Sequence, residues 1–289
     1  MAQVKIIADS TSDIPKHLAD GLGISIVPIY VNISGKTYED GRTISPGEFY
    51  EMLKTTEQLP TTSQPSPTDI ADVYREAIRE GSKEILSLHI SSKMSGTYQS
   101  ALLAKSMIEE EQEGVRIHVL DTRTVTYAFG VIVLLTARAA KEGKSLDELV
   151  RMAERIREKQ ALVALVDTLE YLQKGGRIGK AAALVGSLLN IKPIISISDD
   201  GEVTAIDKAR GRKKAFSRAF ELLRERVPGG AVHVGILHAN EPEQAKVWLE
   251  KVKEMYDVRE SVIADIGPAV GTHAGPGTVG CLLVPLDDL

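Results

Sequence analysis

Basic excess is missing from this sequence: 35 Lys and Arg against 40 Asp and Glu give a formal charge of −5 over 289 residues. Without a cationic stripe there is nothing to neutralise a phosphate backbone, so no nucleic-acid partner is expected. Aromatic residues are scarce as well, at 4%, which leaves few platforms for stacking single-stranded bases. Cys281 is the one cysteine. Alone it forms neither an intrachain disulfide nor a thiolate metal site, and it fits a reducing cytoplasm. No run of about 18 apolar residues occurs, so neither a membrane span nor stable membrane anchoring is expected. The start, "MAQVKIIADS", lacks the basic segment and apolar core of a signal peptide. None of the six histidines stands at metal-ligand spacing from another. The patterns G-x-x-x-x-G-K-[ST], H-E-x-x-H and G-x-S-x-G are all missing. The expectation is a soluble cytoplasmic chain with no metal and no cofactor of its own.

What is present is a normal globular balance, 43% hydrophobic and 26% charged, enough for two modest domains. Three segments of the first half share one plan. "VKIIADSTSD", "EILSLHISSKMSGT" and "VRIHVLDTRTVT" are apolar runs that end in clusters of Asp, Ser and Thr, each followed by a helix-like stretch. Strand, polar loop and helix in repetition predict parallel βαβ units, whose ligand crevice lies at the carboxyl ends of the strands. "GISIVPIYVNI" reads as one additional strand. "SLDELVRMAERIREKQ" is an amphipathic helix opened by Ser145, and "ALVALVD" after it reads as a strand. The second half then alternates strands and helices, with a hairpin turn at Asp200-Gly201 and a glycine-rich bend between its last two strands. The fold class is therefore α/β: a Rossmann-like, mainly parallel N-terminal domain over 1–160 and a C-terminal domain with a mixed sheet over 161–289.

The motifs divide between bland and functional readings. "GPGTVG" at 275–280 spells G-x-G-x-x-G, yet only nine residues follow it and they read as strand, so it is no dinucleotide fingerprint. Ser95 follows a strand and precedes a glycine, while His273 lies in a loop far downstream. Together they fit a nucleophile and its base in an acyl hydrolase or transferase, with Asp9 or Asp121 available to orient the histidine. Taken singly, Ser95 is a helix cap, His273 a turn residue and Arg177 a solvated basic turn. "LPTTSQPSP" at 59–67 reads either as a linker or as a proline-stiffened turn that presents hydroxyls.

Six stretches, "DSTSD" at 9–13, "TTSQPSP" at 61–67, "SSKMSGTYQSA" at 91–101, "LEYLQKGGRIG" at 169–179, "KPI" at 192–194 and "GTHAGPG" at 271–277, stand in an order that resembles the DegV family of bacterial fatty-acid-binding proteins. The resemblance implies a long-chain fatty acid, such as palmitate, held between two α/β domains. It places the carboxylate at Thr62, Ser95 and His273, with Ser63, Ser92 and Gly96 as secondary pocket residues. It further implies a carrier rather than an enzyme, one that presents its ligand to a separate ATP-dependent fatty acid kinase. Arg177 and Arg210 would then serve docking or transfer. The sequence departs from the family in the loop after Asp121, where a serine and paired glycines are usual and "TRTVTYAFG" has Thr126 and only Gly130.

Overall fold

A computed structural model of the chain describes residues 4–184 and 190–287. The first apolar run forms strand β1 (Lys5–Asp9), followed by a 3-10 turn over Ser10–Ser12 and helix α1 (Lys16–Leu22). The stretch expected as one strand divides at Pro28, which has no N–H for a ladder, into β2 (Ser25–Val27) and β3 (Tyr30–Ile33). Next come β4 (Lys36–Glu39), α2 (Pro46–Leu53) and the short β5 (Thr61–Ser63). The order β4-β3-β5 makes a small antiparallel sheet. "LPTTSQPSP" is thus neither linker nor turn: it is an edge strand running into a helix cap. Ser66 caps α3 (Pro67–Arg79) reciprocally with Asp69, at 3.1 and 2.8 Å, and Pro67 sits at the first helical position where its missing N–H costs nothing.

The βαβ pattern continues through β6 (Glu84–His89), α4 (Thr97–Glu111), β7 (Arg116–Asp121) and α5 (Tyr127–Lys141). Strands β2, β1, β6 and β7 form one parallel sheet in that order, as expected. Helix α6 (Leu146–Lys159) begins at Ser145, whose backbone N–H donates to Glu148 at 2.9 Å. The remaining elements are β8 (Ala161–Leu165), α7 (Glu170–Lys174), β9 (Ile191–Ile197), β10 (Val203–Arg210), α8 (Arg212–Arg226), β11 (Ala231–His238), α9 (Pro242–Lys253), β12 (Asp257–Asp265), α10 (Pro268–Ala274) and β13 (Val279–Pro285). Their sheet, ordered β10-β9-β8-β13-β11-β12, is mixed: only β11 and β12 run parallel.

Helix α5 explains how the two sheets meet. It is apolar nearly all round, and a helix of that kind is stable only when covered on every side. One apolar cluster runs from Val4 through this helix to Val284. Arg138 on α5 grips Glu260 of β12 with two 2.6 Å bonds, and Tyr127 reaches His233 of β11 at 3.2 Å. The helix entry is unusual. Thr126 has φ 56° and ψ −154°, a region that a β-branched residue occupies only under strain.

Candidate functional site

The loops at the carboxyl ends of the parallel strands face one side of the mixed sheet, and a cavity of about 110 Å³ lies between them. Thr11, Ile29, Ile90, Met94, Ser95, Val125 and Thr126 come from the strand ends. Leu162, Ala164, Ile195, Ile197, Val203 and Leu237 come from the mixed sheet. Register explains the shape of the floor. Leu237, Gly280, Ala164 and Ile195 lie opposite one another on adjacent strands, so two small residues sit at the centre of a row with larger ones on its flanks. Gly280 is tightly enclosed: a Cβ there would come within 2.9 Å of the Ala164 Cβ.

Polar groups gather on one part of the wall. Thr62, on β5, places Oγ1 2.9 Å from His273 Nε2. His273 is not in a loop; it occupies the last turn of α10, which Pro268 opens and Gly275 closes. That helix is held from the first half of the chain. Gly267 N–H donates to Asp13 at 2.9 Å, the Asp40 carboxylate accepts from Ala269, and Tyr50 Oη donates to the Ile266 carbonyl at 2.9 Å. Burial, and then the charge of Asp40, push the Asp13 carboxyl well up. Burial also lifts Asp40 to about 6. On the other side of the ring, a Cβ at Gly175 would run into His273 Nδ1, so glycine is required for this approach. Burial first, and the neighbouring Arg177 second, lower the His273 pKa to about 4. The imidazole is neutral at physiological pH.

Arg177 is not a solvated turn residue. Gly176, at φ 68°, reverses the chain after α7 and lets Arg177 N–H close on the Leu172 carbonyl at 3.2 Å. The guanidinium then folds onto the cavity wall, donating to the carbonyls of Met94 at 3.2 Å and Gly175 at 2.9 Å. Ser95 combines two of its readings. It lines the cavity, and its hydroxyl accepts from Thr97 N–H at 3.3 Å while pairing with Thr97 Oγ1 at 2.8 Å.

Other expected residues lie off the cavity. Ser63 and Ser92 are exposed and do not line it. Arg210 is exposed at the end of β10, opposite Ile191, and is likewise absent from the wall. Gly96 acts from behind: its missing side chain leaves room for Gln64, which bonds Ser100 at 3.0 Å and so braces the strand that carries Thr62. Nor does the hydrolase arrangement assemble. Ser95 bonds Thr97 rather than His273, and His273 Nδ1 has no partner. Asp9 and Asp121 are engaged elsewhere, Asp121 with the backbone of Ser92 and Arg123.

Sequence reading missed a Ser–His–Asp sequence of contacts in the parallel sheet. Ser87 Oγ is 2.8 Å from His89 Nε2, and His89 Nδ1 is 3.1 Å from Asp9. Ser87 accepts from Tyr74 Oη at 2.8 Å, and Asp9 also receives Ile90 N–H, Thr11 N–H and the Thr11 hydroxyl. All of Tyr74, Ser87, His89 and Asp9 are 0% exposed, so no substrate reaches this serine. The relay fixes Thr11 on the cavity wall instead. Alternation of Ser87 and His89 along β6 was the available signal, but the partner Asp9 comes from another strand.

A profile of the DegV family, described as uncharacterised, matches residues 3–286. The chain is 39% identical over 285 residues to a DegV domain-containing protein of Deinococcus radiodurans, covering 98% of this chain and 99% of that one. Among solved structures, a DegV family protein from Thermus thermophilus, described by its fatty acid binding, superposes with a TM-score of 0.91 at 38% identity, covering 98% of this chain and 100% of that one. DegV from Bacillus subtilis, described as a fatty acid binding protein, gives 0.87 at 30% identity over 99% and 100%. A stearic-acid-binding protein from Eubacterium ventriosum gives 0.87 at 27% identity over 98% of each chain.

Proposed function

The chain belongs to the DegV family, and from that premise we propose that it binds a long-chain fatty acid non-covalently in the cavity between its two halves, 1–160 and 161–289. The observation that carries the reading is the polarity of the cavity: an apolar sheet face on one side, and Thr62, Ser95, Arg177 and His273 grouped on another part of the wall. The acyl chain lies over the sheet face and the carboxylate meets the grouped polar residues. Burying some 14 methylenes contributes on the order of 11 kcal/mol, from which ordering and association take back a large share. The chain therefore dominates affinity and the head group sets orientation. Thr62 and Ser95 supply neutral donors, and Arg177 supplies positive charge without direct burial of an ion pair, which would cost heavily in desolvation. Met94 is the most adaptable side chain on the wall and can adjust to the acyl chain.

The protein is a carrier that presents the carboxylate to a separate ATP-dependent fatty acid kinase, with Arg177 at the site and Arg210 on the surface as contacts for that partner. It works in the cytoplasm; among the described residues no helix is long and apolar enough to cross a membrane. Mass spectrometry of an organic extract of the purified protein tests the binding class. A stoichiometric C14–C18 acid is expected. Loss of the reading follows if preparations made with ample lipid carry none and the delipidated protein does not take up palmitate.

A further inference from the structure

We infer that the outer half of the β9–β10 hairpin is a movable flap over the cavity, and that Ser91 is the positioning residue that catches its tip. The inference rests on the fatty-acid reading and adds the route by which the acid enters and leaves. The hairpin supplies Ile195, Ile197 and Val203 to the cavity wall. Its strands pair with each other from Val203–Ile197 at the tip to Arg210–Ile191 at the base. Attachment to the rest of the sheet is much shorter. Among the described residues, β9 meets β8 at Ala164–Ile195 and Leu165–Ile194, and the Ser196 hydroxyl donates to the Leu162 carbonyl at 2.7 Å.

Base and tip are held differently. At the base, Asp207 accepts from Arg218 of α8 at 2.6 Å, and Ile194, Ile206 and Ala209 join the apolar cluster beneath that helix. Above the base the register shifts between Ala205 and Asp207, which leaves Ile206 as an extra residue in β10. A bulge of this kind interrupts the ladder and bends the ribbon, so it is the place for a hinge. The tip rests on the first half of the chain. The fully buried Ser91 hydroxyl donates to the Gly201 carbonyl at 2.7 Å. The fit is close: a Cβ at Gly201, whose φ is 87°, would overlap Ser91 Oγ and come within 3.1 Å of the Arg123 Cα. The other bonds that hold the tip are exposed, Lys180 to Asp200 at 2.7 Å and Arg157 to the Asp199 carbonyl at 3.2 Å. Exposed ion pairs contribute little. A ribbon pinned at its base, hinged at a bulge and caught by one buried bond opens when that bond is lost. Thr62 and His273 belong to other elements and stay in place as it opens.

Stopped-flow measurements on the delipidated full-length protein with cis-parinaric acid, a fluorescent eighteen-carbon acid, test the flap. Ser91→Ala is expected to speed uptake and displacement by stearate together, each by about fivefold, and to leave Kd within about twofold of wild type. A residue that only shapes the wall would change release and Kd but not uptake. That pattern, or unchanged rates, overturns the inference and leaves the fatty-acid reading intact. Failure of the wild type to take up any acid overturns both. Should Ser91→Ala not fold, hydrogen exchange of the wild type decides. Ladder amides of the hairpin beyond the bulge are expected to exchange by local opening, faster than those of β8 and β13, and to slow when palmitate is bound. Exchange of all these strands through global unfolding alone overturns the inference.

Discussion

Two histidines, each paired with a hydroxyl, sit in opposite circumstances: His89 is buried and His273 half-buried. His89 joins Ser87 to Asp9 inside the parallel sheet, and the groups along that line are matched. The directions agree: Tyr74 donates to Ser87, Ser87 to His89 Nε2, and His89 Nδ1–H to Asp9. His273 has Thr62 on one nitrogen and Gly175 packed against the other, and its ring lines the cavity. A saturated polar network acts as a strut, because any change leaves an unpaired group in the core. The Thr62–His273 pair instead stands on the wall of an open space, where its bond is not locked on every side. Resemblance to a catalytic triad is therefore the poorer pointer here; placement on a cavity wall is the better one.

The contrast is broken most severely through His89. His89→Ala is expected to cost about 3 kcal/mol or more, since it strands Asp9 and Ser87 without partners. Urea unfolding measures this, and a stable variant that had lost its ligand would reverse the roles assigned to the two histidines. Thr62→Val and His273→Ala are each expected to weaken palmitate binding by roughly tenfold, with a stability change of about 1 kcal/mol or less. Unchanged retention would move the carboxylate to another part of the wall. Ala164→Ile, which fills the centre of the floor, is expected to weaken an eighteen-carbon acid severalfold more than a fourteen-carbon one. Equal losses would mean that the chain does not run along that row.

The smallest effect sharpens the comparison through pH. His273 binds its proton less readily folded than unfolded, so its contribution to stability is present above about 6.5 and lost as pH falls toward 4. Asp40 is the reverse: its folded pKa of about 6 lies above the unfolded value, so its contribution is present below the unfolded carboxylate pKa of about 4 and lost as pH rises through 6. The two slopes oppose each other across nearly one window. Thermal melts between pH 4 and 6.5 are therefore expected to show a steeper acid loss in Asp40→Asn than in wild type, and a shallower one in His273→Ala. Parallel curves for all three proteins would remove both groups from the account.

Much of this was legible in the chain. The hydroxyl clusters after three apolar runs pointed to converging strand-end loops, and Thr62, Ser95 and His273 do share one cavity. The hairpin at Asp200-Gly201 followed from its turn residues. What escaped depended on the third dimension or on short signals. "GPAVGTHAG" reads as a bend because its glycines dominate, although Pro268 and Gly275 are a helix start and stop. Arg177 reads as solvated until the left-handed Gly176 turns it inward. Ser63 and Ser92 share the composition of the site but point away from it, since alternation along an edge strand and the order of residues in a loop decide which hydroxyl faces in.

The prolines around Thr62 have a consequence beyond holding a hydroxyl still. Strand β5 is the open edge of its sheet, three residues long, and Pro60, Pro65 and Pro67 flank it. An open edge is a template on which a neighbouring molecule can lay another strand, and prolines deny it the donors needed to extend the ladder. The segment that forms part of the cavity wall is thus also an edge poorly suited to pairing with another strand.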